Sequence, residues 1–95
     1  MEKGVYVIIN NVAKEVVTDI YSCNNDAMAC YGFASYLAKT CKDEIKDTIF
    51  SLKRIGSYDS ELGELNLREQ PYIVARGKEE CRNVIANAEE ADFDL

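Results

Sequence analysis

The side chains able to do chemistry are four cysteines (Cys23, Cys30, Cys41 and Cys81), seventeen carboxylates and six tyrosines; histidine and tryptophan are absent. Without His there is no imidazole acid/base, no Ser-His-Asp or Cys-His pair and no His-ligated metal. The carboxylates that stand together, Asp43-Glu44, Glu79-Glu80 and Glu89-Glu90, are sequence neighbours. Neighbours on a helix point to different faces and do not make an acid/base couple. The cysteines are spaced seven, eleven and forty positions apart, with no C-x-x-C, so zinc is not expected. They read as small buried hydrophobes. Gly4, Gly32, Gly56, Gly63 and Gly77 are scattered and form no phosphate-cradling loop. Nucleophile and base are not found together, so the sequence points to a protein that is not an enzyme and needs no cofactor or metal.

Binding has more material. Lys39, Lys42 and Lys46 recur at three- and four-residue steps, and Lys53 and Arg54 follow. Tyr31, Tyr36 and Tyr58 could offer stacking surfaces beside them, as a single-strand nucleic-acid binder would use. The alternative is a solvated Lys face neutralised by Asp43, Glu44 and Asp47. A second candidate is the tail Glu89, Glu90, Ala91, Asp92, Phe93, Asp94 and Leu95, in which acids alternate with apolar residues. Such a tail could dock on a basic partner, or shield the chain's own basic patch. It could equally be a frayed terminus.

These residues need elements to position them. Val5, Tyr6, Val7, Ile8 and Ile9 predict a strand over 4–9 with both faces apolar, hence a central strand. Asn10-Asn11 marks a turn. Residues 15–21 predict a second strand. Asn24-Asn25-Asp26 signals a helix start, and the helix is expected over 26–40, with Ala29 or Cys30, Phe33, Leu37 and Cys41 as its apolar stripe. Gly32 suggests close packing on the sheet. The charged stretch 42–47 reads as a solvated connection. A third strand is expected over 48–58, with Phe50 and Leu52 on one face and a bulge or bend near Gly56. A hairpin loop over 59–63 leads to a fourth strand over 64–68. Pro71 interrupts that strand, and Tyr72-Ile73-Val74 resumes it. Beyond Gly77, the residues Cys81, Val84, Ile85, Ala88 and Ala91 give an amphipathic helix. The acids at its end suit the helix dipole badly and predict a frayed last turn.

The expected fold is α+β. An antiparallel sheet of four or so strands in ββαββ order carries one main helix packed across it, followed by a C-terminal amphipathic helix. One α+β domain spans 1–76, and 77–95 holds the last helix and acidic tail. The second apolar face of the first strand needs a cover. Either the C-terminal helix folds back over it, or two chains pack together as a homo-oligomer.

The chain has 95 residues and a net charge of −6. Residues 1–76 carry only −2 of this and 77–95 carry −4. The near-neutral body thus leaves room for a local cationic patch, although the whole is a net anion. No membrane span is expected, because no apolar run approaches the roughly 18 residues required. No signal segment is evident, so the thiols are expected to be reduced in a cytoplasm.

Taken together, the segments resemble a known family. The pieces that match are Val5-Tyr6-Val7-Ile8, Ala13-Lys14-Glu15, Asn25-Asp26-Ala27 with Ala29 and Phe33, Leu52, Ile55-Gly56, Tyr58-Asp59, Gly63, and Pro71 with Ile73-Val74. Over roughly residues 5–75 their order and spacing resemble the small non-structural protein of gokushoviruses, single-stranded-DNA bacteriophages of the Microviridae. The resemblance implies a viral protein made in the cytoplasm of the bacterial host and absent from the mature virion. It implies a role in genome replication or single-stranded DNA packaging, through DNA binding or contact with a host or viral protein. It supplies no catalytic residues. The chain departs from the family pattern at Lys53-Arg54, in the stretch 38–47 and in the acidic tail.

Overall fold

Val5, Tyr6, Val7 and Ile8 are β-branched or aromatic, and all four are buried. They form the middle of strand β1 (Glu2–Asn10), which sits at the centre of the sheet. The computed structural model describes residues 2–41, 46–67 and 70–93. Strands β2 (Glu15–Val16) and β3 (Tyr21–Cys23) lie end to end along one side of β1. Strand β4 (Phe50–Asp59) lies along its other side. Strands β5 (Glu64–Asn66) and β6 (Tyr72–Arg76) lie end to end beyond β4. All pairings are antiparallel, so six short segments fill four sheet positions and the fold is α+β.

The single second strand expected over 15–21 is split. The Ile8 amide donates to Thr18 Oγ1 at 3.1 Å instead of to a backbone carbonyl, while Val17 N still reaches Ile8 O at 2.9 Å. A side-chain hydroxyl thus takes one rung of the ladder, and the edge breaks there. The third strand starts at Phe50 rather than at Thr48, because Asp47–Ile49 form a 3-10 turn. The hairpin loop is one residue tighter than expected, since Asp59 still pairs with Glu64. The carboxylate of Asp59 accepts from the amides of Glu61 and Leu62, and Gly63 takes a φ of 69°. The fourth strand ends at Asn66; Arg68 lies outside the described residues.

Helix α1 spans Asp26–Thr40, as the capping signal implies. The side chain of Asn25 accepts from Met28 N at 2.9 Å. The stripe Ala29, Cys30, Phe33 and Leu37 is buried against Tyr6, Ile8, Phe50 and Leu52. Gly32 does not mark a close approach. It is exposed, and a Cβ there would meet only the Tyr21 ring at 3.8 Å, an ordinary contact.

Helix α2 (Gly77–Phe93) leaves β6 through Gly77, whose φ of 70° favours glycine. Its first turn is capped from far along the chain: Lys78 N donates to Asp47 Oδ2 at 2.5 Å. Cys81 enters the same core, where its Sγ donates to the Cys30 carbonyl at 3.1 Å. Near its other end, the Tyr31 hydroxyl donates to Glu89 Oε1 at 3.3 Å. The helix extends through Phe93. Because α2 lies beside α1, both helices cover one face of the sheet. The C-terminal helix therefore does not cover the second apolar face. No helix among the described residues is long and apolar enough to cross a membrane.

The β1–β4 pairing slips by one residue. Val5 faces Gly56 and Tyr6 faces Arg54, which leaves Ile55 as a bulge. A Cβ on Gly56 would lie 2.5 Å from the carbonyl oxygen of Asn66. Gly56→Ala should therefore cost about 1–3 kcal/mol by overpacking, read as a lower urea midpoint at unchanged slope. An unchanged midpoint would mean that β5 does not approach so closely.

Candidate functional site

The bulge at Ile55 decides which side chains share a face. In a regular strand Lys53 and Tyr58, five residues apart, would point to opposite sides. The extra residue brings both to the side away from the helices and leaves Arg54 on the helix side. The register places Lys53 between Val7 and Ile73, and Tyr58 between Lys3 and Leu65. Val16 stands opposite Ile9, and Arg76 opposite Ser51, on the same side. Val5, Ile20, Tyr21, Ser22, Tyr58 and Leu65 line a shallow depression of about 220 Å³ there.

This open face is mostly aliphatic. Val5 and Val7 are closed over by their neighbours, but Val16, Ile20, Leu65, Leu67 and Ile73 are between 42% and 64% exposed. Single exposed apolar residues are ordinary, whereas five on one sheet face are more than a surface usually leaves uncovered together. The charged residues at its strand positions are Lys3, Lys53 and Arg76. No acid occupies an open-face strand position among the described residues.

A second constellation, which sequence reasoning missed, sits where α1 begins. The carboxylate of Asp26 accepts from the Tyr6 hydroxyl at 2.6 Å and from the Tyr72 hydroxyl at 2.7 Å. Arg54 Nη1 lies 3.6 Å from Asp26 Oδ1 and donates to the Tyr72 hydroxyl at 3.4 Å, while its Nε donates to the Gly56 carbonyl at 3.3 Å. Asn24, Asn25, Asp26, Ala27, Arg54, Val84 and Ala88 line a shallow depression beside it, about 470 Å³ in volume. Burial, with the hydrogen bond to Asp26 second, raises the Tyr6 hydroxyl far above the usual phenol range. Burial likewise raises Tyr72. Both phenols are therefore held as neutral donors, and the guanidinium is spent on Asp26 and the Gly56 carbonyl. The group acts as a clamp tying the first turn of α1 to β1, β4 and β6. Its side-chain hydrogen bonds join residues 18 to 46 positions apart in sequence, so no spacing signal could have announced it.

The expected basic cluster is spread over several surfaces. Lys53 and Tyr58 share the open face. Arg54 belongs to the Asp26 clamp. Tyr31 is exposed on α1 and bonded to Glu89. Tyr36 packs edge-on against Phe50, with ring centroids 5.3 Å apart, and serves the core. Lys39 is exposed in the last turn of α1, and Lys46 is exposed just before the 3-10 turn. Lys42 lies outside the described residues. Of the tail, Glu89 is exposed; Glu90, Asp92 and Phe93 fall within α2, and Asp94 and Leu95 lie outside the described residues.

All four thiols are free. Burial pushes that of Cys30 up to about 12, and raises those of Cys23, Cys41 and Cys81. Such thiols are poor nucleophiles. Among the described residues, no group of three or more His, Cys, Asp or Glu could hold a metal ion. No family model, curated protein or solved structure matches the chain.

Two outcomes follow from this chemistry. Asp26→Ala leaves the buried Tyr6 hydroxyl without its acceptor and should cost about 2–4 kcal/mol, against about 1 kcal/mol or less for Tyr72→Phe at the rim. Equal effects in urea titrations would mean that Asp26 is not the hub. The second concerns pH. The fold holds the Cys30 thiol neutral from the ordinary 9.0 up to about 12, so the folded state keeps its proton where the unfolded chain has lost it. That contribution is complete below pH 9 and is lost as pH rises through this window. The urea midpoint should fall between about pH 8 and about pH 10.5, and fall less in Cys30→Ala. An identical slope in the variant would remove Cys30 as a cause.

Proposed function

We propose that this chain is a non-catalytic accessory protein of a single-stranded-DNA phage. It serves genome replication or packaging in the cytoplasm of the infected bacterium, is absent from the virion, and works by protein contact through the open face of its sheet. The observation that carries the mode of action is the group of half-exposed aliphatic side chains on that face. The phage setting rests on the family resemblance. Neither the Asp26 clamp nor the raised thiols offer a nucleophile with a base, so binding is favoured over catalysis.

Single-stranded DNA contact is the second reading. It is favoured by Lys3, Lys53 and Arg76 sharing a face with Tyr58, with no acid at a strand position among them. It gains little from Tyr36 or Arg54, which are engaged elsewhere. The acidic tail remains an alternative docking element for a host or viral protein.

Anisotropy with a labelled oligothymidylate separates the two readings. Three cations engaging phosphates would give a log–log salt slope of roughly −2, at about 0.7 per contact on a single strand. Lys53→Glu would abolish that binding. The protein-contact reading predicts no binding even at low salt. It also predicts that Ile73→Asp, with its fold intact, stops capturing the replication or packaging protein that wild type draws from infected cells. Capture unaffected by Ile73→Asp but lost on removing residues 89–95 would transfer the role to the tail.

A further inference from the structure

We propose that the occupant of the open sheet face is a second copy of this chain, giving a twofold-symmetric pair of face-to-face sheets. This deepens the protein-contact reading and rests on it. Three observations carry it.

The first is area. Five aliphatic side chains, each about half uncovered, make an apolar surface on the order of 500 Å², where a stable pair buries roughly 800 Å² per partner with an apolar centre and a polar rim. Tyr58, Lys53 and Arg76 extend the surface toward that requirement. The second is where the exposed side chains lie. Val16 and Ile20 are at or beside the β2/β3 edge, and Leu65, Leu67 and Ile73 are at or beside the β5/β6 edge. A twofold axis running along the strands lays one edge over the other, so the Ile20 side meets the Leu65, Leu67 and Ile73 group of the second copy, Val16 meets the stem of its Arg76, and Lys53 lies over Val7 of β1 instead of over itself. The long stem of Lys53 can then pack on apolar surface while its ammonium reaches water. The third is chemical. Among the described residues, half-buried Tyr58 is the one aromatic at a strand position facing this side, and the uncovered side chains around it are mainly aliphatic. That surface stacks bases poorly and packs side chains well.

Charge gives the proposal a sign of its own. Both copies are net anions, and both bring the same cations to the interface. Salt therefore screens repulsion and tightens the pair, whereas it weakens any grip on DNA.

The test is light scattering coupled to size exclusion across a concentration and salt series, with circular dichroism on every variant. The expected result is twice the chain mass at tens of micromolar, with the dissociation constant falling several-fold as salt rises. Leu65→Asp and Ile73→Asp should each give the single-chain mass with an unchanged spectrum. If either fails to fold, Ile20→Ser, at a side chain 64% exposed, takes its place. A single-chain mass at millimolar protein overturns the proposal. So does a pair that survives these substitutions with the fold intact. A single chain that binds oligothymidylate, and loses it in Leu65→Asp, overturns it in favour of DNA. A single chain whose face still captures a phage or host protein overturns the pair but leaves the protein-contact reading standing. One that binds nothing removes both.

Discussion

The position of α2 governs the rest of the molecule. Cys81 sits against the Cys30 carbonyl in the first half of α1, and Asp47 holds the amide of Lys78 at the start of α2. These two contacts commit the last helix to the face that α1 already covers. The core gains a second helix there, and no helix among the described residues covers the other side. A strand with apolar residues on both faces then has one side packed and one side facing outward. Val5 and Val7 survive this because neighbouring side chains close over them; the aliphatics toward the two edges do not.

A single extra residue tunes what that outward side displays. The bulge at Ile55 turns Tyr58 to the side of Lys53, while ordinary strand alternation leaves Arg54 on the helix side, where it completes the Asp26 clamp. The two adjacent cations therefore have different tasks. Arg54 secures the first turn of α1 to the sheet, while Lys53 stands among aliphatics on the open face. The two sides of one strand thus carry different chemistry, a closed polar clamp on one and an open aliphatic surface with a lysine on the other.

Much of the frame was legible in local pattern. The Asn25 cap, the Ala29–Leu37 stripe and the doubly apolar β1 each arise from spacings within a few residues, and each appears where the spacing places it. The expectation of a bulge near Gly56 also held, since the β1–β4 register slips there and leaves Ile55 unpaired between Arg54 and Gly56. What escaped was everything set by contacts remote in sequence. Thr18 interrupts the second strand by bonding to Ile8, and Asp47 caps a helix 31 residues away. The Asp26 clamp joins three strands to one helix. The basic cluster was assembled from residues near one another in sequence, and strand alternation divided it. A local run of Lys, Arg and Tyr cannot reveal which way a strand will turn each of them.

The central claim is that the helices share one side and that the other side is the contact surface. The most direct measurement is a dilution series followed by methyl NMR. The account predicts concentration-dependent shifts confined to Val5, Val7, Val16, Ile20, Leu65, Leu67 and Ile73, with the methyls of Leu37, Val84 and Ile85 unmoved. Shifts concentrated at Val84 and Ile85 instead, with the open-face methyls silent, would contradict it.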